Sequence, residues 1–267
     1  MKHMVLAALL CGLLSHAAHA DFQQGKAAFV AHDYAKALKE FEPLARAGDM
    51  QSQHILGMMY DEGQGVAQDY AKAADWYQKA ALQGNQDSMY NLGVMYAQGQ
   101  GVSNDDVKAA QWFEKAAEKG HVLSQFALGR LYIVGRGVKA SGEKGNGWYK
   151  KAALQGHYKA QLALGKNYLE GNGIKKDLIQ AEHWIRQSAM QGHHKAQYEL
   201  GVLYREGLAV KKDAKLAYMW FDLAAKQEHV GAQQARDALA KTMKAEDIAA
   251  ARLLSSEWKP KTPEVSS

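Results

Sequence analysis

The sequence predicts an all-α protein, a superhelix of stacked helix–turn–helix units, and three observations predict it. Leu-Gly recurs at Leu56-Gly57, Leu92-Gly93, Leu128-Gly129, Leu164-Gly165 and Leu200-Gly201, always 36 residues apart. Tyr60, Tyr96, Tyr132, Tyr168 and Tyr204 keep the same interval, as do Trp76, Trp112, Trp148, Trp184 and Trp220. Apolar residues are drawn mainly from Ala, Leu, Tyr and Trp, with Val and Ile sparse, which favours helices over a large sheet. Five copies without an insertion mark a stacked-repeat architecture.

Residues 1–20 read as a secretory signal peptide. Lys2 gives a positive start, Met4 to Leu14 an apolar stretch, and Ala18-His19-Ala20 the small-x-small cleavage pattern. The apolar run is too short to span a bilayer comfortably, and no later stretch is long enough to do so. Cys11 is the only cysteine and leaves with the leader. The mature chain is therefore expected to lack disulfides, thiolate metal sites and a cysteine nucleophile. The expected location is the periplasm or the medium beyond it.

Within each repeat, the first helix holds a small residue, Leu, Gly and Tyr at i, i+4, i+5 and i+8, on one side of a helix. The recurrent Gly costs about 1 kcal/mol of helix propensity, so it is expected to admit a closely packed neighbour. Turns such as Gly63-Gln64-Gly65-Val66 and Gly99-Gln100-Gly101-Val102 end that helix with a left-handed Gly cap. Asp69, Asp105, Asp177 and Asp213 stand at the N-cap of the second helix, and Ser141 takes that column in the third repeat. Ala73, Trp76, Tyr77, Ala80 and Ala81 form its expected buried stripe. Gly142, Gly145 and Gly147 interrupt the third copy, and only Gly145 has a packing reason in its column, so Ser141 to Trp148 is expected to be the least protected helical segment. Trp148 itself is expected to fill a repeat junction.

The motifs HHKAQYELGVLYREG and VAQDYAKAADWYQKAALQG resemble the Sel-one-like repeat family, a branch of the tetratricopeptide-like superfamily. The resemblance implies a right-handed α–α superhelix. It divides the mature chain into an opening helix pair at 21–48, five repeats over 49–228, capping helices at 229–259 and a short polar tail at 260–267. It also implies a scaffold that binds a protein or peptide along its first helices, which line the concave groove of such solenoids.

Candidate chemistry is thin. His121, His157, His193 and His229 recur at the repeat interval after the Gly turn, too far apart for a shared metal, and are read as helix-start residues. Ser141 and Lys144 match the SxxK of penicillin-recognising enzymes, but no SDN or KTG accompanies them, and the repeat already explains both. No cofactor is expected, and the protein is read as non-enzymatic. Columns that vary between copies point to the binding face. One holds His54, Tyr90, Phe126, Leu162 and Tyr198, the next Met58, Val94, Arg130, Lys166 and Val202, and a third Gln51, Asp87, Leu123, Lys159 and Lys195. Tyr90, Phe126, Arg130, Lys166 and Tyr198 are the candidate binding residues, because aromatics and Arg anchor interfaces. The alternatives are a β-lactam or cell-wall hydrolase, and a binder of anionic envelope glycan through Lys175-Lys176 and Lys211-Lys212, consistent with a net charge of +5 and a pI near 9.0. Nucleic acid is not an expected partner of an exported protein, and the expected state is a monomer without stable membrane insertion.

Overall fold

A computed structural model describes residues 21–261. The leader at 1–20 and all but the first two residues of the tail at 260–267 lie outside the described residues. Every described element is a helix. The chain divides into two compact units, Met1–His121 and Val122–Ser267.

The first unit holds α1 (residues 21–30), α2 (Tyr34–Arg46), α3 (Met50–Glu62), α4 (Tyr70–Leu82), α5 (Gln86–Gln98) and α6 (Asp106–Glu118). The second holds α7 (Val122–Val134), α8 (Gly142–Leu154), α9 (Tyr158–Glu170), α10 (Leu178–Met190), α11 (His194–Glu206), α12 (Ala214–Ala225), α13 (Val230–Ala240) and α14 (Ala245–Glu257). Each 36-residue period is therefore one antiparallel pair, and the pairs α3–α4, α5–α6, α7–α8, α9–α10 and α11–α12 are closely packed.

The expected caps form. The carboxylates of Asp69 and Asp105 accept the backbone N–H of Lys72 and Lys108 at 3.0 and 2.9 Å, and Ser141 Oγ accepts that of Lys144 at 3.3 Å. The helical glycines sit beneath the second helix of their own repeat. A Cβ on Gly57 would lie 2.5 Å from the Tyr77 ring, and one on Gly93 would lie 2.5 Å from Phe113. Only Gly brings the helices this close, which offsets its propensity cost.

Two expectations need correction. Tyr77, Phe113, Tyr149, Ile185 and Phe221 take the centre of each interface, over the Gly, and all are buried. Trp76, Trp112 and Trp148 stand one residue to the side and stay half-buried, each with a lysine one turn on over its ring. Lys79, Lys115 and Lys151 lie 3.8, 4.2 and 3.8 Å from the respective ring centres. Trp148 is thus a rim residue rather than the filler of a junction. Gly142, in turn, has a packing reason, since a Cβ there would fall 2.4 Å from the Cα of Gly173 in the next turn. Gly147 faces open space, as expected.

At the far end of the second unit, α13 and α14 both pack on α12. Asp222, 6% exposed on α12, accepts from Ser255 Oγ at 2.6 Å and pairs with Arg236 at 3.0 Å and Lys226 at 2.9 Å. Burial pushes its carboxyl up, but these partners outweigh it and hold the group below its ordinary range. Trp258 meets Trp220 edge-on at 6.1 Å and helps to cover it, so that Trp220, like Trp184, is buried where Trp76, Trp112 and Trp148 are not.

Candidate protein-binding face

The first helices of both units carry aromatics that are held on two sides and open on a third. In the first unit, Tyr90 on α5 lies 5.6 Å from the Phe113 ring and 5.3 Å from His121. Asp87 fixes that histidine, Oδ1 to Nε2, at 3.2 Å. Burial lowers the His121 pKa and Asp87 opposes the shift.

In the second unit, Phe126 on α7 lies 5.6 Å from Tyr149 and 4.7 Å from His157. Tyr198 on α11 repeats the arrangement, 5.7 Å from Phe221 and stacked on His229 at 4.8 Å. Each of these aromatics is half-buried. A ring braced in this way loses little rotamer freedom when a ligand covers its open side. Leu162, in the same column on α9, is buried instead.

The two cations of the candidate set differ. Arg130 lies one turn from Phe126, is exposed, and makes no ion pair among the described residues. Lys166 is half-buried and donates to Glu199 at 2.9 Å, a partner that raises its pKa. Arg130 is therefore available to a ligand, whereas Lys166 first serves the packing of α9 on α11.

The histidine column explains itself structurally. His157 and His229 are N-caps whose Nδ1 accepts the backbone N–H of Ala160 and Ala232 at 3.2 and 3.0 Å. His193 instead meets Ser188 Oγ at 3.1 Å. Its neighbour His194 stands at 88° to it and reaches towards His229, with ring centres 5.4 Å apart. No group of three or more His, Cys, Asp or Glu among the described residues is arranged to hold a metal. Ser141 is occupied as a cap, and the Lys144 ammonium lies 5.4 Å from the centre of the Tyr132 ring, so neither is poised as the pair of a serine hydrolase.

The Sel1 repeat profile matches residues 51–85, 86–121, 122–157, 159–193 and 194–229. The chain belongs to the Sel1 repeat family. Its fold is similar to the crystal structure of a Sel1 repeat protein from Oxalobacter formigenes, at 29% identity and a TM-score of 0.76, over 91% of this chain and 99% of that one. Weaker likenesses are to c5321, a protective antigen of uropathogenic Escherichia coli with an SLR fold (26% identity, TM-score 0.45, 90% and 76% coverage), and to the immunity protein Pa5087 of Pseudomonas aeruginosa (24%, 0.47, 79% and 81%). No curated protein matches the chain.

Sel1 repeat proteins are in general protein-interaction scaffolds, typically without catalysis. In this Sel1 chain no described helix is long and apolar enough to cross a membrane. The sequence reading named the aromatic column of the candidate face, but not what braces it. The signal was present all the same: each aromatic precedes a buried ring by 23 residues and a histidine by 31.

Proposed function

We propose that this Sel1 repeat protein is an exported, non-enzymatic and monomeric scaffold of the bacterial cell envelope that binds a protein or peptide along its first helices. Phe126, Arg130 and Tyr198 form the contact face of the second unit, and Tyr90 offers an equivalent ring in the first. The observation that carries this reading is the bracing of Phe126 and Tyr198 between a buried ring and a histidine, with an open side left to each. Pre-positioned aromatics beside a free guanidinium have the chemistry of interface anchors. Export is supported by the leader pattern of residues 1–20.

Capture from envelope extracts by immobilised protein tests the binding reading. The triple replacement Phe126→Ala, Arg130→Ala and Tyr198→Ala should abolish capture of the specific partner, while Lys175→Ala with Lys176→Ala should leave it intact. Equal loss in both variants would favour a diffuse electrostatic attraction instead. Export is checked by mass spectrometry of the protein from cell fractions, which should find Asp21 as the first residue outside the cytoplasm.

A further inference from the structure

A cleft of about 470 Å³ opens in the second unit between the starts of α9 and α11, walled by Tyr158, Lys159, His193, His194 and Lys195. Comparison with the first unit shows what is unusual about it. There, Asp87 supplies the carboxylate that meets His121. The residue 34 positions before each histidine of this column is Asp87 for His121 and Leu123 for His157, but Lys159 for His193 and Lys195 for His229. A base stands in the column of that acid twice, on successive repeats of one unit.

The two lysines leave a surplus of positive charge at the cleft. Lys159 and Lys195 are exposed and form no ion pair among the described residues. Nδ1 of His194 is buried and lacks a hydrogen-bond partner. Burial, then His194, Lys195 and Lys159, hold the His193 pKa down to about 4, and no carboxylate opposes them, unlike at His121. Polar groups in a cleft call for compensation by a ligand of opposite charge.

We infer that this cleft takes the carboxylates of an acidic segment on the protein partner, in the place that Asp87 fills from within the chain in the first unit. Lys159 and Lys195 supply the charge, and Tyr158, 37% exposed, an apolar wall for the segment's methylene groups. The inference rests on the scaffold reading above and adds the chemistry of the partner.

Fluorescence anisotropy of a labelled hexaglutamate peptide with the purified protein tests it. Saturable binding is expected, weakened about tenfold or more by Lys159→Asp with Lys195→Asp, which restores the acid found in the second repeat. Lys175→Asp with Lys176→Asp, an equal change of charge at exposed lysines elsewhere, should alter affinity by less than about twofold. Circular dichroism checks that each variant is folded, and Lys159→Ala with Lys195→Ala replaces the reversal if it is not. Absence of saturable binding, equal weakening by the two pairs, or displacement by inorganic phosphate at matched charge would each overturn the inference. The scaffold reading has a separate readout. If the Phe126, Arg130 and Tyr198 triple variant loses partner capture while the Lys159 and Lys195 variant keeps it, the acidic cleft fails and the scaffold stands.

Discussion

The side-chain amide of Gln191 donates to Oε1 of Gln161 at 2.7 Å and to the carbonyl of Gly156 at 3.0 Å, tying the end of one repeat to its own start and to the turn that closes the previous repeat. Gln161 in turn donates to the carbonyl of Ala153 at 3.1 Å. The same staple recurs as Gln83 with Gln53, Gln155 with Gln125, and Gln227 with Gln197. At the one remaining position of the period both glutamines are absent, and Met89 and Lys119 stand in their columns. Loss of the two together is what a paired polar contact requires, because one buried amide without its partner is costly.

Replacement of Gln161 alone by Met should therefore cost about 1–2 kcal/mol, since the Ala153 carbonyl loses one of its donors and the Gln191 amide an acceptor. Adding Gln191→Lys, to reproduce the Met89 and Lys119 arrangement, should return part of that loss. A double-mutant cycle from chemical denaturation measures the coupling. Strict additivity of the two changes would show that the staple contributes nothing beyond its separate parts.

Period, caps and helix pairing were legible in the sequence because each is a local signal repeated five times. Depth was not. Trp76 and Tyr77 are both apolar and adjacent, and only the position of Gly57 beneath Tyr77 decides which ring is central. Partners distant in sequence were equally hidden: Gln191 with Gln161 inside one repeat, and Lys166 with Glu199 between two, join columns 30 and 33 residues apart, which no single-column reading brings together. The aromatic column of the candidate face could be read directly, because variation between copies separates it from the structural columns.

Of the three glycines of α8, Gly142 and Gly145 are closely packed and Gly147 is not. Gly147→Ala should stabilise the protein by about 1 kcal/mol, since its Cβ meets nothing within 4 Å and helix propensity is gained. Gly142→Ala should destabilise it by about 1–3 kcal/mol, because backbone packed against Gly173 has to move. Thermal unfolding gives both signs. Hydrogen exchange should still show Ser141 to Trp148 less protected than Asp69 to Trp76, an ordering that equal protection would refute.

The turn of the fifth repeat stores strain. Ala209 has φ of +62° where Gly65, Gly101 and Gly173 occupy the same column with φ of +71°, +67° and +66°. Glu228 has φ of +63° in the column of Gly84 and Gly192. The left-handed region is costly for any residue with a Cβ, so Ala209→Gly and Glu228→Gly should each stabilise by about 0.5–1 kcal/mol. The two sites lie in different turns, so their increments in melting temperature should add. A fall in stability from Ala209→Gly would mean that unfolded-chain entropy outweighs the relieved strain.

Acid should loosen the second unit through His157, which caps α9, and through His193. Nδ1 of His157 accepts the Ala160 N–H, a bond that only the unprotonated nitrogen makes, and a cation there would also face the positive end of α9. Burial, reinforced by Lys159, lowers the His157 pKa to about 4, and burial with its cationic neighbours does the same at His193. An unfolded chain binds the proton near the ordinary value of about 6.5, so it takes up protons that the folded state refuses. The stability from these two groups is therefore complete above about pH 6.5, drains as pH falls towards 4, and is spent below that. Because both rings keep some contact with water, the loss should be about 1 kcal/mol for each rather than the full value of the shift. His157→Asn separates the cap from the titration, since Asn85 caps α5 from the same column through a bond of 2.8 Å and carries no proton to lose or gain. Denaturation between pH 4 and 7 should show the variant as stable as the parent at neutral pH and with a shallower acid slope. An unchanged slope would place the acid sensitivity elsewhere in the chain.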